Sequence, residues 1–408
     1  MAVNLPTIQE EQLLPIEGIR LATASAGVKA NGQTDLVLIE IAQGSRVAAV
    51  YTQNAFCAAP VTIAKHHQQQ TTPRYCLINS GNANAGTGQQ GDKAAIQCCA
   101  SLAQQVNDKT ESILPFSTGV IGEQLPIEKI KAALSGLVSD LNEDNWFDAA
   151  HGIMTTDTLA KAVSRQVMLD GKQVTITGMA KGSSMIRPDM ATMLAYIATD
   201  ANVSQSVLES MLKRATDQSF NRITVDGDTS TNDACVLIAT AQAENDEITT
   251  LDSASAQTLY QTIAEISQQL AHAIIRDGEG ATKFVEVTVE QGQNTAECRQ
   301  VAYTIAHSPL VKTALFASDP NWGRILAAIG RSGLKDFDLS KVTIYLDNVC
   351  IIKAGQPASD YTEAQGQAVM DNSEITIKIL LERGQAKDTV WTCDFSYDYV
   401  KINAEYRS

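Results

Sequence analysis

The stretch 181–200, KGSSMIRPDMATMLAYIATD, holds the one arrangement whose residue types and order suggest covalent chemistry. A loop rich in Gly, Ser and Pro runs to Asp189, and the chain then turns apolar from Met190 to Ala198, with Thr192 at the junction behind the small Ala191. A threonine hydroxyl is a poor nucleophile near neutral pH and needs a base beside it. An α-amino group, with a pKa of about 7.7–8.0, suits that task. Thr192 would acquire one if its hydroxyl attacked the Ala191 carbonyl and the resulting ester were hydrolysed. A pliable loop before the nucleophile and a rigid strand after it suit so strained a step. Taken alone, a threonine that merely starts a strand accounts for the same residues.

Other chemical-looking motifs carry less. Gly86–Gly91 (GTGQQG) has the spelling of a dinucleotide-binding loop, but Asn79–Ala85 separates it from the preceding strand, too far for the tight turn that motif needs. A Gly- and Asn-rich loop leading into a helix is the better reading. Asp226–Asp233 (DGDTSTND) starts like a calcium loop, yet it lacks glycine at the sixth position and has Leu237 where the bidentate glutamate belongs. A polar turn lining a site fits it better. The histidines form no HxxxH or HxH pair, so neither a zinc site nor a histidine-based triad is expected.

A nucleophile needs a frame, and the hydrophobic periodicity outlines one. LVLIEI (36–41) and VAAVY (47–51) read as paired strands, and 74–78 and 173–177 as further strands. Apolar Ile96, Cys99, Leu102, Ala103 and Val106 recur at helical spacing over 92–106, as do those of 207–215 and of 254–275, the longest helix candidate. Segments 342–346, 374–381 and 390–399 are strand-rich. Strands and helices mixed throughout predict an α/β or α+β fold of mixed β-sheets layered with helices, with a second lobe over 286–408.

Charge narrows the partners. Lys plus Arg number 31 against 46 Asp plus Glu, a net charge of −15, which argues against nucleic acid and against anionic membrane surfaces. No apolar run approaches the about 18 residues of a membrane span. Glu10, Glu11 and Glu17 stand where a secretory signal would be basic and then apolar. The eight scattered cysteines, with no CxxC pair, then read as reduced and mostly buried thiols of a cytoplasmic protein.

The sequence around Thr192 closely resembles the self-cleaving ornithine acetyltransferases (glutamate N-acetyltransferases) of arginine biosynthesis. The resemblance extends to NSGNANA (79–85), STGVIG (117–122), MTTDT (154–158), DGEGATK (277–283), SDPNWGR (318–324) and DYVKINAEYRS (398–408), in family order and nearly end to end. Several long blocks in order are far more specific than any one of them.

The resemblance implies a self-processing acyltransferase fold of the N-terminal-nucleophile kind, cut between Ala191 and Thr192 into an α chain (1–191) and a β chain (192–408). Thr192 would take acetyl from N-acetylornithine and pass it to glutamate by ping-pong kinetics without a metal or cofactor, with acetyl-CoA as a further donor in bifunctional members. Thr118 and Gly119 match the pair that stabilises the oxyanion, although an ordinary turn explains Ser117–Gly119 as well by itself. Lys181 matches a carboxylate-binding lysine, Thr155 (rather than Thr156) a hydroxyl contact, and Glu279 a partner for an ammonium group. Asn403 and Ser408 match polar contacts from the tail. Two chains of each kind would form a heterotetramer. Ser184, Arg187 and Asp189 depart from the family pattern near the cut, with Arg187 and Asp189 adding a charge pair that could alter cleavage or substrate preference. Ser408 replaces a terminal threonine and keeps a hydroxyl. The competing readings are a self-cleaving aminopeptidase or amidohydrolase that gives the acyl group to water, and an unprocessed binding protein without catalysis.

Overall fold

A computed structural model describes residues 2–30, 32–187 and 193–405. Its strands are apolar on alternate or on both faces, and that pattern decides how they layer. A four-stranded sheet runs in the order Ile19–Ala24, Leu36–Ile41, Tyr75–Asn82, Ile113–Val120, the last two parallel and the others antiparallel. A five-stranded sheet follows the order Arg46–Tyr51, Ala234–Ala239, Leu194–Thr199, Lys172–Lys181, Lys161–Leu169, with one parallel pair, 194–199 against 234–239.

These two sheets stack face to face. Val37, Ile39 and Ile41 of the first meet Leu194, Tyr196, Ala198, Val236 and Ile238 of the second in one core. On the outer side of the first sheet, Leu36, Leu38 and Leu77 pack under helices Gly88–Val106 and Ile127–Ser139. On the outer side of the second, Ala195, Ile197, Cys235 and Leu237 pack under helices Gln205–Gln218 and Ala254–Arg276. The result is four layers, helix, sheet, sheet and helix. It explains why 194–199 and 234–239 are buried at every position rather than alternating, since both of their faces are covered.

A seven-stranded mixed sheet spans Ile223–Thr224 and strands from Phe284 to Cys393, and with helices Thr295–Ala306, Pro309–Phe316 and Trp322–Gly330 it encloses a separate core from Val285 to Val390. The SDPNWGR block lies here, where the Asn321 side chain caps the third of these helices by accepting from Arg324 N at 3.1 Å.

One expectation is corrected and another narrowed. LVLIEI and VAAVY are not paired. The first lies between 19–24 and 75–82, and the second forms the edge of the other sheet against 234–239, so the short turn at 42–45 carries the chain from one layer to the next. Of the strand-rich segment 390–399, only the part to Cys393 is strand. Beyond it the Asp394 carboxylate accepts from Thr282 N and Lys283 N at 2.8 and 2.9 Å, and Ser396 caps helix Tyr397–Ala404. Among the described residues no helix is long and apolar enough to cross a membrane.

Candidate active site

Strand ends converge on one cavity of about 320 Å³, lined by Thr118, Gly119, Thr155, Lys181 and Asn403 among others, with Met193 and Leu194 in its wall. Thr118 and Gly119 end the strand Ile113–Val120, and Lys181 ends Lys172–Lys181 in the facing sheet. The strands are brought close by a glycine. Gly119 has φ +131°, and a Cβ there would lie 2.3 Å from the Gly81 carbonyl carbon, so only glycine fits. Asn232, at the start of the polar turn's last segment, donates to Ala83 O at 2.6 Å and Ser117 O at 2.9 Å, clamping that strand end to the second sheet.

Lys181 Nζ donates to Thr118 Oγ at 3.1 Å. The threonine oxygen is thus used as an acceptor, which leaves its own hydrogen free to donate into the cavity. Burial lowers the pKa of Lys181, and the charges of Asp157 and Asp233 offset part of that shift. Glu279 is buried, and its carboxylate accepts from Ser184 Oγ at 2.6 Å and from Asn403 Nδ2 at 2.8 Å, both residues of the cavity wall. Thr155 and Thr156 both face the cavity, and the Thr156 hydroxyl is paired with that of Ser183 at 2.7 Å.

The structure therefore brings together Thr118, Gly119, Thr155, Lys181, Glu279 and Asn403. Ala191 and Thr192 lie outside the described residues, as do Asp189 and Ser408; the next residue after Thr192, Met193, lines the cavity. Arg187 is exposed, and its charge adds to burial in lowering the His307 pKa to about 4.

Beneath the cavity lies a buried network that the sequence reading missed. Lys161 Nζ donates to Asp157 at 2.6 Å and to Asp277 at 2.7 Å, all three side chains being no more than 1% exposed. Asp157 also accepts from Gly182 N at 2.7 Å and Thr155 N at 3.0 Å, so it fixes the residues beside Lys181 and the cavity threonine. Desolvation opposes the charge on Asp157, but Lys161, Lys181 and the Gly182 N–H outweigh it and hold its pKa below the usual carboxylate range. Asp277 accepts from Thr158 N, Thr158 Oγ and Leu159 N, tying the turn after Asp157 to the end of helix 254–276. Asp157 and Asp277 stand inside the MTTDT and DGEGATK blocks, which was the available signal.

The polar turn 226–233 contributes as well. Asp226 accepts from Met185 N at 2.7 Å and Ile186 N at 2.9 Å and so anchors the loop leading toward Thr192. Tyr399 reaches the same carboxylate at 3.4 Å and stacks on Phe395. Among the described residues no cluster of His, Cys, Asp or Glu could hold a metal ion. A hydroxyl donor, a closely packed glycine and a desolvated lysine around one cavity are parts that suit acyl transfer where charge develops on oxygen.

Comparison with known proteins agrees with that class of chemistry. The ArgJ family model matches residues 20–408, and this chain belongs to the ArgJ family. It is 55% identical over 408 residues, the whole of both chains, to the arginine biosynthesis bifunctional protein ArgJ of Pseudomonas syringae pv. tomato. It is 56% identical, again over the whole of both, to the protein of the same name from Pseudomonas fluorescens. Among solved structures, the Bacillus halodurans ArgJ matches at 39% identity and a TM-score of 0.48, covering 51% of this chain and 96% of its own.

Proposed function

We propose that this protein is a glutamate N-acetyltransferase of arginine biosynthesis that moves acetyl from N-acetylornithine to glutamate through an ester on Thr192. The observation that carries this reading is identity of more than half over the full length with proteins named for that pathway, supported by the cavity where Thr118, Gly119 and Lys181 meet beside Met193. The solved ornithine acetyltransferase of Mycobacterium tuberculosis, described as complexed with ornithine, is 30% identical over 46% of this chain.

In this mechanism the chain is cut between Ala191 and Thr192, giving chains 1–191 and 192–408, the second including a C-terminal lobe over 286–408. The freed α-amino group of Thr192 takes the proton from its hydroxyl as Oγ attacks the acetyl carbonyl, then delivers it to the departing ornithine amine. Glutamate attacks the ester in the second half. The Thr118 hydroxyl and the Gly119 amide face the tetrahedral oxyanion each time. Lys181 holds a substrate carboxylate, Glu279 an ammonium, and Thr155, Asn403 and Ser408 supply polar contacts. No resident cofactor takes part, acetyl-CoA serves as a second acetyl donor, and the enzyme works in the cytoplasm as a heterotetramer.

The direct test is an assay with N-acetylornithine and glutamate. Equal amounts of ornithine and N-acetylglutamate and parallel double-reciprocal lines are expected. Ornithine and acetate without N-acetylglutamate would favour the amidohydrolase, and no turnover the binding protein. Adding acetyl-CoA with glutamate alone tests the second donor.

Thr118→Val is expected to lower kcat by about 10²–10³-fold with little change in KM, since a donor aimed at the oxyanion acts only in the transition state. Unchanged kcat in a steady-state assay would remove Thr118 from that role.

A further inference from the structure

Asp233 is a buried acid that forms no ion pair among the described residues, although the Lys181 charge acts on it. It is 4% exposed, it lines the same cavity as Lys181 and Thr118, and its Oδ2 has no hydrogen-bond partner among the described residues. A buried carboxyl oxygen left unpartnered is costly, so native sites that keep one tend to use it. Its place in the fold is specific. Asp233 immediately precedes the strand 234–239, which pairs in parallel with 194–199, and Ala234 N donates to Met193 O at 2.9 Å. Asp233 thus sits in the cavity wall, at the start of the strand hydrogen-bonded to the residue that follows Thr192. Burial raises its pKa well above the usual carboxylate range, and the Ser230 hydroxyl and the Lys181 charge only partly oppose this. Burial thus favours the neutral, protonated form of this carboxyl.

A proton held there answers a need of the proposed reaction. The mature enzyme uses the α-amino group of Thr192 to manage protons, but the precursor has none, because that nitrogen is still an amide. Self-cleavage needs a different group to protonate the departing nitrogen. We propose that Asp233 is the acid of the self-cleavage step, an inference that rests on the reading above. As Thr192 Oγ forms its bond to the Ala191 carbonyl carbon and the C–N bond breaks, the Asp233 carboxyl gives its proton to the Thr192 nitrogen. The hydroxyl proton of Thr192 returns through water to the Asp233 carboxylate, so the shift from amide to ester is neutral overall. Water then hydrolyses the ester, releasing the Ala191 carboxylate and restoring the Thr192 hydroxyl.

The test follows the full chain made by cell-free translation, with intact mass read over time in buffers from about pH 6 to about pH 10. Asp233→Asn keeps the size and removes the proton. It is expected to cut at least about 100-fold more slowly than the wild type at an unchanged melting temperature, and Asp233→Glu to recover part of the rate. The wild-type rate is expected to fall as rising pH ionises Asp233. Among the described residues the charged groups around it are Lys181, two strands away in the same sheet, Asp226 and Asp228 from the same turn and Asp157 behind Lys181. Titration of Lys181 would persist in Asp233→Asn, whereas loss of the fall in that variant assigns it to Asp233. Wild-type cleavage by Asp233→Asn, or a wild-type rate that stays flat or rises with pH, overturns the proposal. Should Asp233→Asn cut normally while Thr192→Ala stays whole, Asp233 alone is excluded; a cut Thr192→Ala removes the underlying reading.

Discussion

Thr192→Ala is expected to persist as a single chain of 408 residues and to lose acetyl transfer by about 10⁶-fold, the scale on which a covalent enzyme falls when its nucleophile is removed. Two losses arise from one atom. Without Oγ there is nothing to attack the Ala191 carbonyl, so no new amino terminus forms, and there is nothing to carry the acetyl group. A denaturing gel with intact mass reads the first loss, and a steady-state assay the second. Thr192→Ser should keep both in weakened form, since it retains the hydroxyl. Cleaved and active Thr192→Ala would overturn the mechanism.

Lys161→Met should cost about 3–5 kcal/mol of stability, because it leaves Asp157 and Asp277 buried without their shared cation. That is a large part of the about 5–15 kcal/mol by which folded proteins are stable. The charge matters more than the packing, since methionine fills nearly the same volume. Activity should fall as well, through loosening of Gly182 and Thr155, which Asp157 holds by their N–H groups. Denaturant unfolding measures the first effect. A variant within about 1 kcal/mol of the wild type would show that the carboxylates find protons or water instead. Asp157→Asn combined with Lys161→Met should restore part of the stability, because one of the stranded charges is then gone.

The sequence was legible where a pattern is local. Helix 254–276 follows from an apolar stripe sustained over its length and begins at Ser253, whose Oγ accepts from Ala256 N at 3.1 Å. The strand 36–41 was legible in its limits but not in its partners, because pairing is decided by which layer each face must cover, and a sequence does not display layers. The site divides in the same way. Thr118, Lys181, Glu279 and Asn403 were named through long family blocks, whereas taken singly each would pass for a turn, a surface charge or a tail. Asp157, Lys161 and Asp277 were missed because charged residues are ordinarily solvated. Only the fold reveals that positions more than a hundred apart share one ion-pair network. Asp233 was seen as part of a polar turn, and its burial beside the cavity with an unpartnered Oδ2 among the described residues could be recognised only in three dimensions.

The order of the second sheet has a consequence for the life history of the molecule. Two neighbouring interior strands, 194–199 and 234–239, come from after Thr192, and the pair is flanked by strands from before it, 172–181 on one side and 46–51 on the other. Before a cut, those ribbons find one another within a single tethered chain. After it, the same pairing becomes a meeting of two molecules, with its dilution penalty and its edges exposed to wrong partners. If the chain is cut as proposed, assembly would be a one-time event. Under the proposed cut, the precursor would fold as one chain, whereas the processed protein, once unfolded, would regain its sheet only at a rate set by concentration. A handle on either fragment would still retrieve both from solution.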